Sequence, residues 1–300
     1  MKIKSSLARA NGIARMDKVV FLFLPLCLLG AIIIYPTLNL WRLALSNFDI
    51  TYMREPVFIG VRNFVRILAD DYFWSALWNT AVISGTAVAI EFFLGLAIAL
   101  LLSGEIGGGK ISKSLLIIPI MVPPVVVGLN FKLIFDNFGP INDFLRRVGL
   151  KPIEWLGSPL SAKISIIIAD VWQWTPFVFI ILLAGLQTVP PELYDAAKVD
   201  GASGWKVFRH ITWPMLIPSI TIALAFRIID ALKIFDVVYM VTNGGPSFAT
   251  EVFSLNVYRT AFRFGSLGYA SALAVTMFVV LTFVIWMVIR GMNLAKRMEW

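Results

Sequence analysis

Apolar residues gather into six long runs, at about 19–45, 74–102, 112–135, 162–186, 216–241 and 268–289, with polar stretches between them. A helix rises 1.5 Å per residue, so about 20 apolar residues cross the roughly 30 Å hydrocarbon core of a bilayer. Every run reaches that length, and the pattern predicts six membrane-spanning helices. The third run carries its own punctuation: "PIMVPPVVVG" sets Pro119, Pro123 and Pro124 inside the span. Proline there predicts a break whose freed carbonyls need donors from protein or from a wet cavity. The first run follows Lys2, Lys4, Arg9, Arg15 and Lys18. It is longer than the core of a secretion signal and lacks a small-x-small site at its end, so an uncleaved span is expected.

The longest polar interruption is "PPELYDAAKVDGASGWKVFRHITWPMLIP", residues 190–218, between the fourth and fifth runs. Pro190, Pro191 and Glu192 suit a helix start, since proline tolerates the first turn and an acid favours the positive end of the helix. "ELYDAAKV" then predicts about two turns, with Leu193, Ala196, Ala197 and Val199 as a small apolar face. Asp200 and Gly201 stop it, glycine being the residue that most cheaply adopts a positive φ. Ser203 is placed to cap a second helix, "GWKVFRHI", which Pro214 and Pro218 hand to the fifth span. The pattern alone leaves two readings open, a plain connector or a surface gripped by a partner.

Composition supports the membrane assignment: 59% of the 300 residues are hydrophobic and 15% charged, and the mean hydropathy is +0.82. A soluble core cannot hide that much apolar surface. The net charge of +8 is scattered between the apolar runs rather than collected on one face, which argues against nucleic acid. A bias of basic residues toward the inner face explains it more simply. With the amino terminus inside, the inner segments carry the five amino-terminal bases, Lys110, Lys198, Lys206, Arg209, Arg290, Lys296 and Arg297, with Lys113 at the membrane edge. The longer outer loops hold only Arg54, Arg62, Arg66, Arg146, Arg147, Lys151, Arg259 and Arg263. Both termini and the polar segment are therefore expected on the cytoplasmic side, as a tail over 1–18, a span region over 19–289 with an inner loop at 187–215, and a tail over 290–300. Cys27 and His210 are each the only residue of their type, so neither a disulfide nor a thiolate or histidine metal site is expected.

"DAAKVDGASGWKVFRHITWP" resembles the EAA loop of ABC-importer permeases, whose pattern is Glu-Ala-Ala, three residues, Gly, nine residues, then Ile-x-Leu-Pro. Here Asp195, Ala196 and Ala197 precede three residues and Gly201; nine more lead to Ile211, Trp213 and Pro214. Asp195 stands where that family has Glu, and Trp213 where it has Leu. "IGVRNF", "GGPSFAT" and "YRTAFRFGSLGYASALAV" are similar to the carbohydrate-uptake, maltose-type branch. The resemblance implies an all-α integral membrane protein, the type I ABC importer permease fold, with six transmembrane helices and a cytoplasmic coupling helix. It implies that Asp195, Ala196, Ala197, Asp200, Gly201 and Ala202 dock on an ATPase, and that Gly244, Gly245 and Pro246 meet an extracytoplasmic binding protein. A second permease subunit, two ATPase copies and a bacterial inner membrane complete the implied assembly, with ATP and magnesium handled by the ATPase and no cofactor on this chain.

"SGEIGGGKISKS" nearly spells a phosphate-binding loop, with Gly104, Gly109 and Lys110 at the required spacing. Ile111 stands where a magnesium-liganding Ser or Thr is needed and no soluble nucleotide domain follows, so a glycine-rich turn is the expectation. In the fifth run Arg227, Asp230, Lys233 and Asp236 recur at steps of three. Alternating signs neutralise each other, and intramembrane charge is expensive. The stripe reads as an ion-paired strut or as the lining of a substrate passage, and the resemblance favours the passage, for a neutral sugar or polyol. Glu91 and Asp170 are solitary carboxylates in apolar runs: protonated, paired with a neighbouring helix, or in the passage. "VWQWTPF" offers Trp172, Gln173 and Trp174, with interfacial anchoring preferred over stacking on sugar. The chain has no HExxH and no GxSxG, which counts against an intramembrane enzyme. An ion- or proton-coupled carrier would leave the polar segment unexplained.

Overall fold

A computed structural model describes residue 23 and residues 25–52, 55–103 and 110–297. The expected amino-terminal tail and the heart of the glycine-rich turn lie outside the described residues. Five helices are long and apolar enough to cross a membrane, and a sixth crossing results if one sharply bent pair counts as a single span. The chain divides into two compact units, residues 1–67 with 260–276 and residues 68–259 with 277–300.

In the first unit, helix α1 (Pro25–Ala44) leaves most of its apolar residues uncovered by the chain, Ala44 at its end being buried. A short antiparallel pair, β1 (Ser46–Asn47) with β2 (Val57–Phe58), pairs Ser46 with Phe58 and leads to α2 (Arg62–Leu68). Asn63 is buried and donates to the carbonyls of Ala44 at 2.8 Å and Ser46 at 2.9 Å, tying α2 to the end of α1. Arg66 lies 4.3 Å above the ring of Tyr269.

The second unit holds α3 (Asp71–Ser103), α4 (Lys110–Met121), α5 (Pro124–Ile134), α6 (Pro140–Arg147), α7 (Pro159–Gln187) and α8 (Pro191–Val199). A short α9 (Gly204–Val207) continues through a widened π turn at Phe208–Thr212 into α10 (Trp213–Ala231), making one helix of 28 residues. Then come α11 (Asp236–Val241), α12 (Phe253–Phe262) and α13 (Leu267–Arg297), the last two shared with the other unit. Close helix approach depends on glycine. At Gly95 a Cβ would stand 3.0 Å from the Phe179 backbone nitrogen and slightly nearer Val178, so α3 and α7 pack in near-backbone contact. At Gly185 a Cβ would overlap the Ser219 hydroxyl, and α7 meets α10 in the same way.

The proline break falls where expected: the Lys113–Met121 and Pro124–Ile134 segments meet at 97°. The fifth span departs from expectation at both ends. It does not begin after Pro214; the helix runs through from Gly204. Pro214 has no N–H and crowds the carbonyl four residues back, and the π turn immediately before it supplies the slack. Ser203 occupies the cap position but its hydroxyl makes no cap bond; its carbonyl accepts from Val207 N at 3.0 Å instead. At the far end the helix stops at Ala231 rather than reaching 241. The carbonyls freed there find remote donors: Ser84 Oγ on Ala231 O at 2.6 Å, and Ser254 Oγ on Ile234 O.

Candidate functional site

Three spans meet at a buried ionic hub. Arg227 of α10 is 1% exposed, Glu91 of α3 is 0% and Asp170 of α7 is 2%. Arg227 Nε donates to Glu91 Oε2 at 2.6 Å and Nη2 to Glu91 Oε1 at 2.9 Å, a fork that matches the carboxylate edge. Nη2 also donates to Asp170 Oδ2, and Nη1 reaches Asp230 Oδ2 at 3.2 Å. Trp174 covers the guanidinium, its ring centroid 5.0 Å from Cζ. In hydrocarbon an unpaired charge is costly, so each of these residues explains the others. Glu91 and Asp170 are thus paired with a neighbouring helix, the second of the three alternatives open from the sequence.

The even stripe over 227–236 does not form. Arg227 and Asp230 share the last turn of α10, Lys233 lies in the irregular link and Asp236 opens α11. The break brings them together differently: Asp230, Lys233 and Asp236 line a cavity of about 90 Å³ together with Asp170, Arg227 and Trp174, with Pro124 and Gln173 also in its wall. Both interrupted helices therefore open onto one space beside the hub. Gln173 is 1% exposed and donates Nε2 to Val122 O at 2.9 Å, answering the carbonyl that the proline break releases. Trp174 is not an interfacial anchor, because its ring is engaged with the buried guanidinium. Trp172 packs edge-on to Phe131 at 5.6 Å and is 43% exposed.

The polar segment over 190–218 is a helix, a tight turn and a second helix. Gly201 has φ +66° and accepts no hindrance, since nothing lies within 4 Å of where a Cβ would stand; its glycine serves the turn. Ala202 N returns to Ala197 O at 2.9 Å and closes α8. Ala197 packs inward, while Asp195, Ala196, Asp200 and Gly201 are exposed and Ala202 is half-buried. Asp195 pairs loosely with Lys198 at 3.1 Å. Val199 is 88% exposed, an apolar residue held out on a polar face. Tyr194 Oη lies 3.2 Å from Thr212 Oγ1, so α8 is bonded to the helix that ends at the hub.

The loop after α11 is internally braced. Thr250 Oγ1 lies 2.7 Å from Thr242 Oγ1 and donates to Gly245 O at 2.6 Å, and Arg259 pairs with Glu251 at 3.3 Å. Gly244 is buried with φ +80°, and a Cβ there would overlap Glu251 Oε2. Gly245 and Pro246 are half-buried, and the exposed tip consists of Asn243, Ser247 and Phe248.

The profile of the family described as "Binding-protein-dependent transport system inner membrane component" matches residues 91–293. The chain is 39% identical over 255 residues to the trehalose/maltose transport system permease protein of Thermococcus litoralis, covering 84% of this chain and 86% of that one. It is also 39% identical over 252 residues to the sulfoquinovosyl glycerol transport system permease protein of Agrobacterium fabrum, covering 84% and 82%. In fold it is similar to a chain of a bacterial ABC transporter involved in the import of the acidic polysaccharide alginate, with TM-score 0.81, 23% identity and coverage of 94% and 97%.

Proposed function

The chain belongs to the family of binding-protein-dependent transport system inner membrane components, and from that premise we propose how this permease subunit of an ABC importer takes up a sugar or polyol. It is a transport component rather than an enzyme, and the ion-coupled alternative gains nothing from the family membership. The proposed cargo follows the sugar permeases it resembles. Its path passes the cavity beside the hub, where Asp230, Lys233 and Asp236 offer hydroxyl partners and Arg227 is the fixed charge behind them.

The proposed inner contact is α8 with its turn. Asp195, Ala196, Ala197, Asp200, Gly201 and Ala202 form the docking segment for a separate ATPase, which binds ATP and magnesium. A second, non-identical permease subunit and two ATPase copies complete the assembly. A solute-binding protein docks outside near Gly244, Gly245 and Pro246, and both termini lie in the cytoplasm. The observation that carries this reading is the 28-residue helix from Gly204 to Ala231, tied to α8 at one end and bearing Arg227 near the other. At 1.5 Å per residue it spans about 40 Å, so one continuous helix links the α8 contact to the cavity wall and carries a displacement between them.

Gly201→Trp tests the docking role. Its Cβ would meet nothing within this chain, but the positive φ strains any other residue there, so Gly201→Ala is the control for strain: both variants are expected to insert in the membrane, and only Gly201→Trp to lose ATPase co-purification and sugar uptake. Normal uptake by Gly201→Trp would overturn the docking reading.

A further inference from the structure

The hub holds more carboxylate than ion pairing alone requires. One guanidinium meets three carboxylates, and they are not equivalent: Glu91 lies outside the cavity lining and is sealed, Asp170 reaches the cavity wall with a side chain only 3% exposed, and the Asp230 side chain lines the same cavity at 48% exposure. Four guanidinium N–H groups are engaged, three of them on the buried pair and one on Asp230. The buried pair comes from α3 and α7, so the direction of the fourth N–H is set by two helices other than the one that carries Arg227 and Asp230. Trp174 closes one face of the guanidinium, and an Arg held in this way has no free rotamer left.

Resting on the reading that sugar passes this cavity, we infer that Glu91 and Asp170 are positioning residues acting through Arg227, and that Asp230 is the carboxylate they aim at the sugar. The cavity of about 90 Å³ is large enough to hold water and is partly open, so hydroxyl groups can enter it. Asp230 accepts from a hydroxyl there, while Lys233 on the same wall donates to the oxygen beside it. Pre-aimed acceptors bind hydroxyls without first losing their own side-chain freedom, so loosening the guanidinium weakens sugar binding although Glu91 lies outside the cavity and Asp170 is almost wholly covered by Arg227 and its neighbours.

The test is equilibrium binding of labelled trehalose and maltose to the purified assembly, made with its own partner subunits and with the binding protein omitted. Asp230→Asn is expected to weaken binding about tenfold per folded assembly. Glu91→Gln and Asp170→Asn, near-isosteric, are expected to weaken it to a similar degree. The double variant Glu91→Gln with Asp230→Asn is expected to be no worse than Asp230→Asn alone, because the two changes act on one interaction. Arg227→Lys is expected to behave like Asp230→Asn, since a point charge cannot hold three carboxylates in register. If the Glu91 and Asp170 variants lower only the yield of folded protein and leave affinity unchanged, or if the double variant multiplies the losses, the inference is wrong while the path reading stands. If Asp230→Asn leaves affinity unchanged, or the unsubstituted assembly binds neither sugar, the path reading itself fails and the inference falls with it.

Discussion

Arg227→Met removes the guanidinium and leaves Glu91 and Asp170, at 0% and 2% exposure, without their counter-ion. Methionine fills most of the volume, so the change isolates charge from packing. Removing one partner of a buried pair typically costs about 3–5 kcal/mol, because the remaining charge stays desolvated. Two stranded carboxylates place this hub at the upper part of that range. For a domain of roughly 150–250 residues each kcal/mol moves the melting midpoint by about 2–4 °C, so a drop of about 8–20 °C is expected for the purified chain in detergent. The magnitude alone does not identify the cause, and a compensating variant does. Replacing a whole ion cluster by neutral groups is often close to neutral. The triple variant Arg227→Met, Glu91→Gln, Asp170→Asn should therefore recover most of the lost midpoint while remaining defective in transport. A drop below about 2 °C for Arg227→Met, or a triple variant less stable than the single one, would refute the claim that these charges hold one another in the membrane.

Gln173→Leu keeps the bulk but strands the Val122 carbonyl at the proline break; an unsatisfied buried acceptor costs about 1–3 kcal/mol, and a lower thermal midpoint with faster amide exchange at Val122, Val125 and Val126 is expected. Gly185→Val would drive two methyl groups into Ser219 and Leu216 of α10, and protein yield in the membrane should fall sharply. Ser219→Gly in the same chain should restore part of that yield, whereas a Gly185→Val chain of normal yield would contradict the close α7–α10 contact.

Much of the architecture is written locally. Length and apolarity alone place the spans, because lipid leaves the backbone few alternatives to helix. Pro119, Pro123 and Pro124 announce the break in the third span, since proline acts where it stands. The break in the fifth span has no such marker: "RIIDALKIFD" contains neither glycine nor proline and reads as continuous helix. It is stabilised by Ser84 and Ser254, which are distant in sequence from the carbonyls they satisfy. The even spacing of charge from 227 to 236 misleads for the same reason.

The hub's residues were individually conspicuous, as ionisable groups in apolar runs always are. What the sequence withholds is their meeting, across 136 positions for Glu91 and 57 for Asp170. Arg227 was one of several bases inside the apolar runs, with Lys132, Lys163 and Lys233, so the sequence does not single out the partner of the two acids. The role of Gln173 is similarly hidden, because its partner is a backbone carbonyl 51 residues away that any residue at 122 would present. Gly201 was legible, as a turn glycine between two short helices. Gly244 was not: as part of the segment suggested to face a binding protein it points inward, against Glu251.

The central claim is that ATP-driven motion enters this chain through α8 and its turn. Val199 offers the most direct probe, being 88% exposed within the chain and tied to no packing of its own. A photo-reactive amino acid at 199, with a control at Phe138, which is also 88% exposed, would be irradiated in the intact assembly in native membranes. Position 199 is expected to form an adduct with the ATPase subunit whose yield changes with bound nucleotide, and position 138 none. Adducts at 199 with lipid alone, in an assembly that still imports sugar, would contradict the claim.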